Sequence, residues 1–163
     1  MSSREAIHAA LFALGQAITW PTPGGGPPTT TGFATAFRRV KLWDSQGAVL
    51  PMLCQGERDE ANSRNRQGMP RVRTWGVDWL IYFNTIDVDD FVPATTTNAI
   101  LDQLDMLFPD EEDDAGPNGL GAVSGQTLGG LVHRVQINGK IRKWQGDLGG
   151  VALLLVPLEI IVP

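Results

Sequence analysis

The chain has 163 residues, 42% of them apolar, which supports one hydrophobic core and is too little for two, so a single domain over residues 1–163 is expected. A net charge of −5 and a pI near 4.9 exclude general adhesion to nucleic acid or to anionic membrane and leave room only for local basic patches. The single cysteine, Cys54, excludes an internal disulfide and a multi-cysteine metal site, and its neighbours MLCQG hold no histidine or basic residue to activate a thiolate.

The opening residues carry Arg4 and Glu5 with no cleavage site, so a signal peptide is not expected. Ser2 and Glu5 stand in the Ser-x-x-Glu relation of a capping box and predict a helix start. Ile7, Ala10, Leu11, Leu14 and Ile18 form one apolar stripe, while Phe12 falls on another face and predicts a second contact. The Pro-, Gly- and Thr-rich stretch Thr19 to Gly32 reads as a surface loop. Phe33 to Trp43 and Ala48 to Gly56 read as extended segments, the second interrupted by Pro51.

Glu57 to Arg73 has almost no apolar residue before Met69 and carries Arg58, Arg64, Arg66, Arg71 and Arg73, so it is expected to project as a long loop or hairpin tip. Five arginines in an acidic protein suit a partner surface bearing carboxylates or phosphates. In the following strand, Val72 to Asn84, Trp75, Val77, Trp79, Ile81 and Phe83 recur with a period of two. Ile100, Leu101, Leu104, Leu107 and Phe108 space a second helix, Ala94 to Phe108, which Pro109 ends. The acidic run Asp110 to Asp114 opens a glycine-rich loop and lacks the alternating ligand spacing of a calcium loop.

The last 38 residues, Gln126 to Pro163, predict two long strands joined at Gly146 and Asp147. Leu131, Val135, Ile137 and Ile141 define an apolar face opposite Arg134, Gln136, Asn138, Lys140 and Arg142. The closing strand Val151 to Val162 is apolar on both faces and needs cover on both. Its longest apolar run, Leu148 to Leu158, is roughly half of what a bilayer crossing needs, so a soluble protein that matures in the cytosol is expected.

No catalytic, cofactor-binding or metal-ligating residue is expected. His8 lies on a helix and His133 on the apolar side of a strand, with no second ligand at metal spacing. Ser124 in AVSGQ lacks the setting of a nucleophile elbow, and GGGPP and LGG lack the following helix that cradles phosphate.

Taken in order, SSREAIHAALFAL, FRRVKLW, LPMLCQGE, VDWLIYF, the helix ending LFP, QTLGGLVHRVQINGKI and ALLLVPLEIIVP resemble the tail terminator, or minor tail protein U-like (tail completion), proteins of long-tailed bacteriophages. The inserts at Thr19 to Gly32 and in the acidic loop depart from that pattern. The resemblance implies an α+β subunit with a twisted antiparallel sheet flanked by two helices. It also implies a homo-oligomeric, hexameric ring in the virion tail or neck, which caps the tail tube, stops its polymerisation and meets the head–tail connector proteins. Genomic DNA would pass through the channel without specific binding, with no membrane partner and no cofactor. A ring joins two different patches of one subunit, and Phe12, Val151, Leu153 and Leu155 are the expected subunit contacts. Arg58, Arg64, Arg66 and Arg71 are the expected contacts to the tail tube protein. The alternatives are a head-closure or neck adaptor of the same kind, a small enzyme with a loop-built site around His133 or the acidic run, and a nucleic-acid-binding module using Arg134, Lys140 and Arg142 beside Trp144.

Overall fold

The computed structural model describes residues 3–22, 30–63, 72–85, 93–109, 127–144 and 150–162. Helix α1 (Arg4–Gln16) is followed by a two-stranded antiparallel hairpin, β1 (Thr19–Pro21) with β2 (Thr30–Gly32). The main sheet holds β3 (Thr35–Phe37), β4 (Met52–Ser63), β5 (Val72–Asn84), β6 (Arg134–Ile137), β7 (Arg142–Trp144) and β8 (Val151–Val162), and α2 (Pro93–Leu107) lies between β5 and β6 in sequence. The spatial order is β3-β4-β5-β8-β6, with β7 also on β8. The α+β class and the largely antiparallel sheet are as expected. The β3–β4 pair is parallel, which follows because chain 38–51 crosses back over the sheet between the two strands.

Each element has a local cause. The N-cap of α1 is Ser3, whose hydroxyl accepts from the Ala6 N–H at 3.1 Å. The predicted Ser2–Glu5 box is therefore displaced by one residue, and the Glu5 carboxylate turns to Arg38 instead. Pro93 occupies the first turn of α2, where a missing N–H costs nothing. The stretch Thr19 to Gly32, read as loop, contains two strands, and Trp20 is fully buried with its ring edge-on to Phe33 at 5.1 Å. The side chain packs under the hairpin because pairing of Thr19 with Gly32 fixes which face Trp20 presents.

The helix face of the sheet carries the main core. Leu53, Trp75, Val77, Trp79, Ile81, Val135, Leu154, Val156, Leu158 and Ile160 are buried there with Ile7 and Leu11 of α1 and Ile100 and Leu104 of α2. Leu14, Leu107 and Ile137, expected in the core, are partly buried at its margin. On the outer face a smaller cluster, Met52, Cys54, Tyr82 and Val151, is covered by Phe37, Trp43, Ala48 and Leu50.

The closing strands differ from expectation in one respect. The strand predicted from Leu131 to Lys143 begins at Arg134 and is broken between Ile137 and Arg142. Ile137 pairs with Leu158 and Arg142 with Leu155, so four intervening residues face two on β8. Pro157 explains the break. Its carbonyl accepts from the Asn138 N–H at 3.0 Å, so its missing N–H faces the same neighbour and the ladder cannot continue there. Gly139, at φ 122°, turns the chain out, and a Cβ on it would stand 3.2 Å from the Pro157 ring. The expected joint at Gly146 and Asp147 lies outside the described residues.

Candidate interaction surface

Beyond the small cluster, the outer face becomes polar where β4 passes Glu57. Glu57 pairs with Val77 and Glu60 with Trp75, so Arg58 and Asp59 together oppose Gly76 in a β-bulge. The Arg58 side chain lies across Gly76, whose absent Cβ leaves it room, and Arg58 Nε stands 3.0 Å from Asp78 Oδ1. The angle is poor for a hydrogen bond, so the contact is ionic in character. Burial pushes the Asp78 carboxyl above its ordinary pKa, against the pull of Arg58 and Arg142. Glu159 accepts from Gln136 Nε2 at 2.9 Å alongside. A shallow cleft of about 180 Å³ opens between Arg58, Asp59, Thr74, Asn138 and Glu159.

The segment Glu57 to Arg73, read as a projecting loop or hairpin tip, is strand for its first seven residues and antiparallel to β5. β4 continues to Ser63, exposed throughout this outer half and paired with β5 on one side. Since β3 pairs only with Met52–Cys54, the outer half of β4 has no strand on its other edge among the described residues. Of the four arginines assigned to the tail tube, Arg58 sits at the base of this arm, tied to Asp78, and Arg64, Arg66 and Arg71 lie outside the described residues.

The four expected subunit contacts separate. Val151 is buried inside the subunit against Met52, Cys54 and Tyr82. Phe12 is half-buried at the edge of the main core. Leu153 and Leu155, on the outer face, are half-buried. Over the β3–β4 side of the same face, the segment after β3 leaves Val40, Leu42 and Val49 each more than half exposed, and Val40 reaches over Gly56. This apolar strip gave no periodic signal because it is irregular chain.

On the helix face, where the outer half of β4 meets α1, charges gather around His8. The imidazole is buried and stacked on Trp75 at 5.5 Å and 15°, and burial lowers its pKa. Arg38 forks onto Glu5 through both guanidinium nitrogens, and Arg4 bonds Glu60 at 2.9 Å while lying over Trp75. Hydrogen bonding to Arg38 holds the Glu5 carboxyl below its ordinary range. Beneath them Gln55 donates to the His8 carbonyl at 3.0 Å and accepts from Trp79 Nε1 at 3.1 Å. None of these contacts was readable from spacing, since they join residues from 24 to 47 apart for Gln55 alone.

His133, expected on the apolar side of a strand, is exposed in the bend before β6 and donates its N–H to the Ile161 carbonyl at 2.9 Å. The acidic run at 110–114 lies outside the described residues. Arg142 and Lys143 are exposed, Trp144 is half-buried, and Arg134 reaches the Pro109 carbonyl at 3.4 Å. Among the described residues no group of three or more His, Cys, Asp or Glu is placed to hold a metal ion, and no helix is long and apolar enough to cross a membrane. No protein-family model matches this chain, and no curated protein matches it.

Proposed function

We propose that this chain is a structural subunit of a long-tailed bacteriophage virion. It assembles as a six-membered ring on the end of the tail tube, stops tube growth and joins the tail to the head connector. The observation that carries this reading is the uneven cover of the sheet. One face is sealed by two helices, while the other keeps Leu153 and Leu155 half-buried and leaves Val40, Leu42 and Val49 exposed on the segment that covers it. Apolar side chains left open on one face of a small subunit suit protein contact. The seven segments that carry the sequence resemblance also fall, in order, on α1, the outer-face segment, β4, β5, α2, the β6 edge and β8. Leu153 and Leu155 serve as subunit contacts in this reading; Val151 supports them from within.

The β4–β5 arm extends the same reading. Its exposed outer half leads into the arginine-rich residues 64–71, and six weak contacts held in one ring add up to firm capping. Light scattering and negative-stain micrographs of the purified protein, alone and with tail tubes, test the ring. Annular particles are expected; monomer at every concentration, with tubes present, overturns the proposal. Replacing residues 64–71 with a Gly-Ser turn should leave the ring intact and allow overlong tubes, and normal capping by that variant removes the arm from the mechanism.

A further inference from the structure

One carboxylate oxygen near the N-terminal helix is shared between two donors and held by neither. Glu57 Oε1 is 3.8 Å from His8 Nδ1 and 3.7 Å from Arg38 Nη2, both beyond hydrogen-bond length. His8 Nδ1 is buried, in a side chain 7% exposed, and has no hydrogen-bond partner. Three separate pieces of chain meet at this oxygen: α1 through His8, the segment after β3 through Arg38, and the outer half of β4 through Glu57 itself.

We propose that His8, Glu57 and Arg38 form a proton-operated switch coupling helix α1 to the exposed arm formed by β4 and β5. With His8 neutral, the only charge among the described residues that draws this Glu57 oxygen is Arg38, whose other partner is Glu5. When His8 takes up a proton from solvent, its ring gains a second N–H and a charge, and Glu57 swings to it. Arg38 is then held by Glu5 alone, and β4 is drawn toward α1 at the bulge that begins next to Glu57. The charged groups facing His8 are Arg4 and Glu5 on α1, Arg38 after β3, and Glu57 and Glu60 on β4, while β5 presents the neutral face of Trp75. Burial and Arg38 oppose protonation, and Glu57, Glu5 and Glu60 favour it.

The sign of the linkage follows. A histidine whose folded pKa lies below its unfolded value of 6.5 contributes stability that is complete above pH 6.5 and is lost as pH falls through the folded value. The switch therefore operates on the acid side of neutrality, where proton uptake draws the arm toward α1 at a cost in global stability.

The chain has two histidines, so a proton NMR titration resolves both rings, with His133→Gln assigning His8. Glu57→Gln should lower the His8 midpoint and Arg38→Gln should raise it, each unit of movement being a tenfold change in the protonation constant. Amide protection factors over residues 57–63, with the intrinsic pH dependence of exchange divided out, should change through the His8 titration in the wild type and stay flat in His8→Phe, which keeps the stack on Trp75. The opposite shifts establish that both charges act on His8, and the exchange response separates a switch from a merely structural role, which would leave the arm indifferent to His8 protonation. The proposal is overturned if the two variants leave the midpoint in place or shift it the same way. It is equally overturned if residues 57–63 exchange identically in wild type and His8→Phe across that range.

Discussion

The two faces of the main sheet are built from the same strands and obey different rules. On the helix face, alternate residues of β5 and β8 meet α1 and α2, and every large side chain in the centre is closed off from water. On the outer face, the other alternate residues of those strands meet irregular chain at one end and an ion pair at the other, with half-buried leucines between. Close packing makes the first face intolerant of any change in volume. The second face can give, because its cover is a segment with exposed side chains.

Leu154 and Leu155 test that difference at adjacent positions. Leu154→Ala, on the helix face, is expected to cost about 2–5 kcal/mol, the range for a fully buried leucine. Leu155→Ala, on the outer face, should cost roughly 1 kcal/mol, about half of a full burial, while weakening self-association. Thermal melts with light scattering on the two variants check both; equal losses of monomer stability erase the distinction.

Two glycines sharpen it. A Cβ on Gly15 would stand 2.8 Å from Trp79 Cζ2 and 2.9 Å from Leu53 Cδ2, both inside the core. Gly15→Ala should therefore destabilise by about 1–3 kcal/mol through overpacking, although alanine in a helix is otherwise favoured by about 1 kcal/mol. A Cβ on Gly56 meets Val40 Cγ2 at the same 2.9 Å, but Val40 is an exposed side chain free to turn aside. Gly56→Ala should stay within about 0.5 kcal/mol of the wild type. Denaturant midpoints of the pair decide whether distance or yielding neighbours govern the cost.

The smallest effect concerns Asp78. Its folded pKa is raised by burial above the ordinary 3.8, so its contribution to stability is full below pH 3.8 and is lost as pH rises through the folded value. At neutral pH the ionised carboxylate is partly uncompensated. Asp78→Asn should leave stability unchanged or raise it by less than about 1 kcal/mol, because the half-exposed pair with Arg58 contributes little. Its melting temperature should also vary less than the wild type's between pH 3.5 and neutrality. A clear loss at pH 7 would show that the ion pair outweighs the burial cost.

Legibility in the sequence followed the same division. Trp75, Val77, Trp79, Ile81 and Phe83 alternate because one side of β5 is sealed, and that period gave the strand its bounds from Val72 to Asn84. The outer half of β4 shows no period, since its side chains are exposed on both sides and backbone pairing to β5 alone holds it as strand. Polar sequence therefore read as loop. Pro157 was visible, but its effect depends on which neighbour its missing N–H faces, and that is a matter of pairing rather than composition. The proposed interaction residues were legible where they lie on β8, as Leu153 and Leu155, and hidden where they lie on irregular chain, as Val40, Leu42 and Val49.

Gln55 has a consequence for uniqueness rather than for strength. An apolar stripe lets a helix slide along a sheet at modest cost, because one aliphatic contact replaces another of similar worth. The Gln55 amide, 1% exposed, ends that freedom: its carbonyl is committed to the Trp79 indole and its NH₂ to the carbonyl of His8. Displaced along its axis, α1 would carry the His8 carbonyl out of reach of the Gln55 NH₂ and leave a buried donor unmet. The amide thus acts as a gauge for helix position, and Gln55→Leu should give a protein of similar melting temperature whose α1 resonances broaden or double.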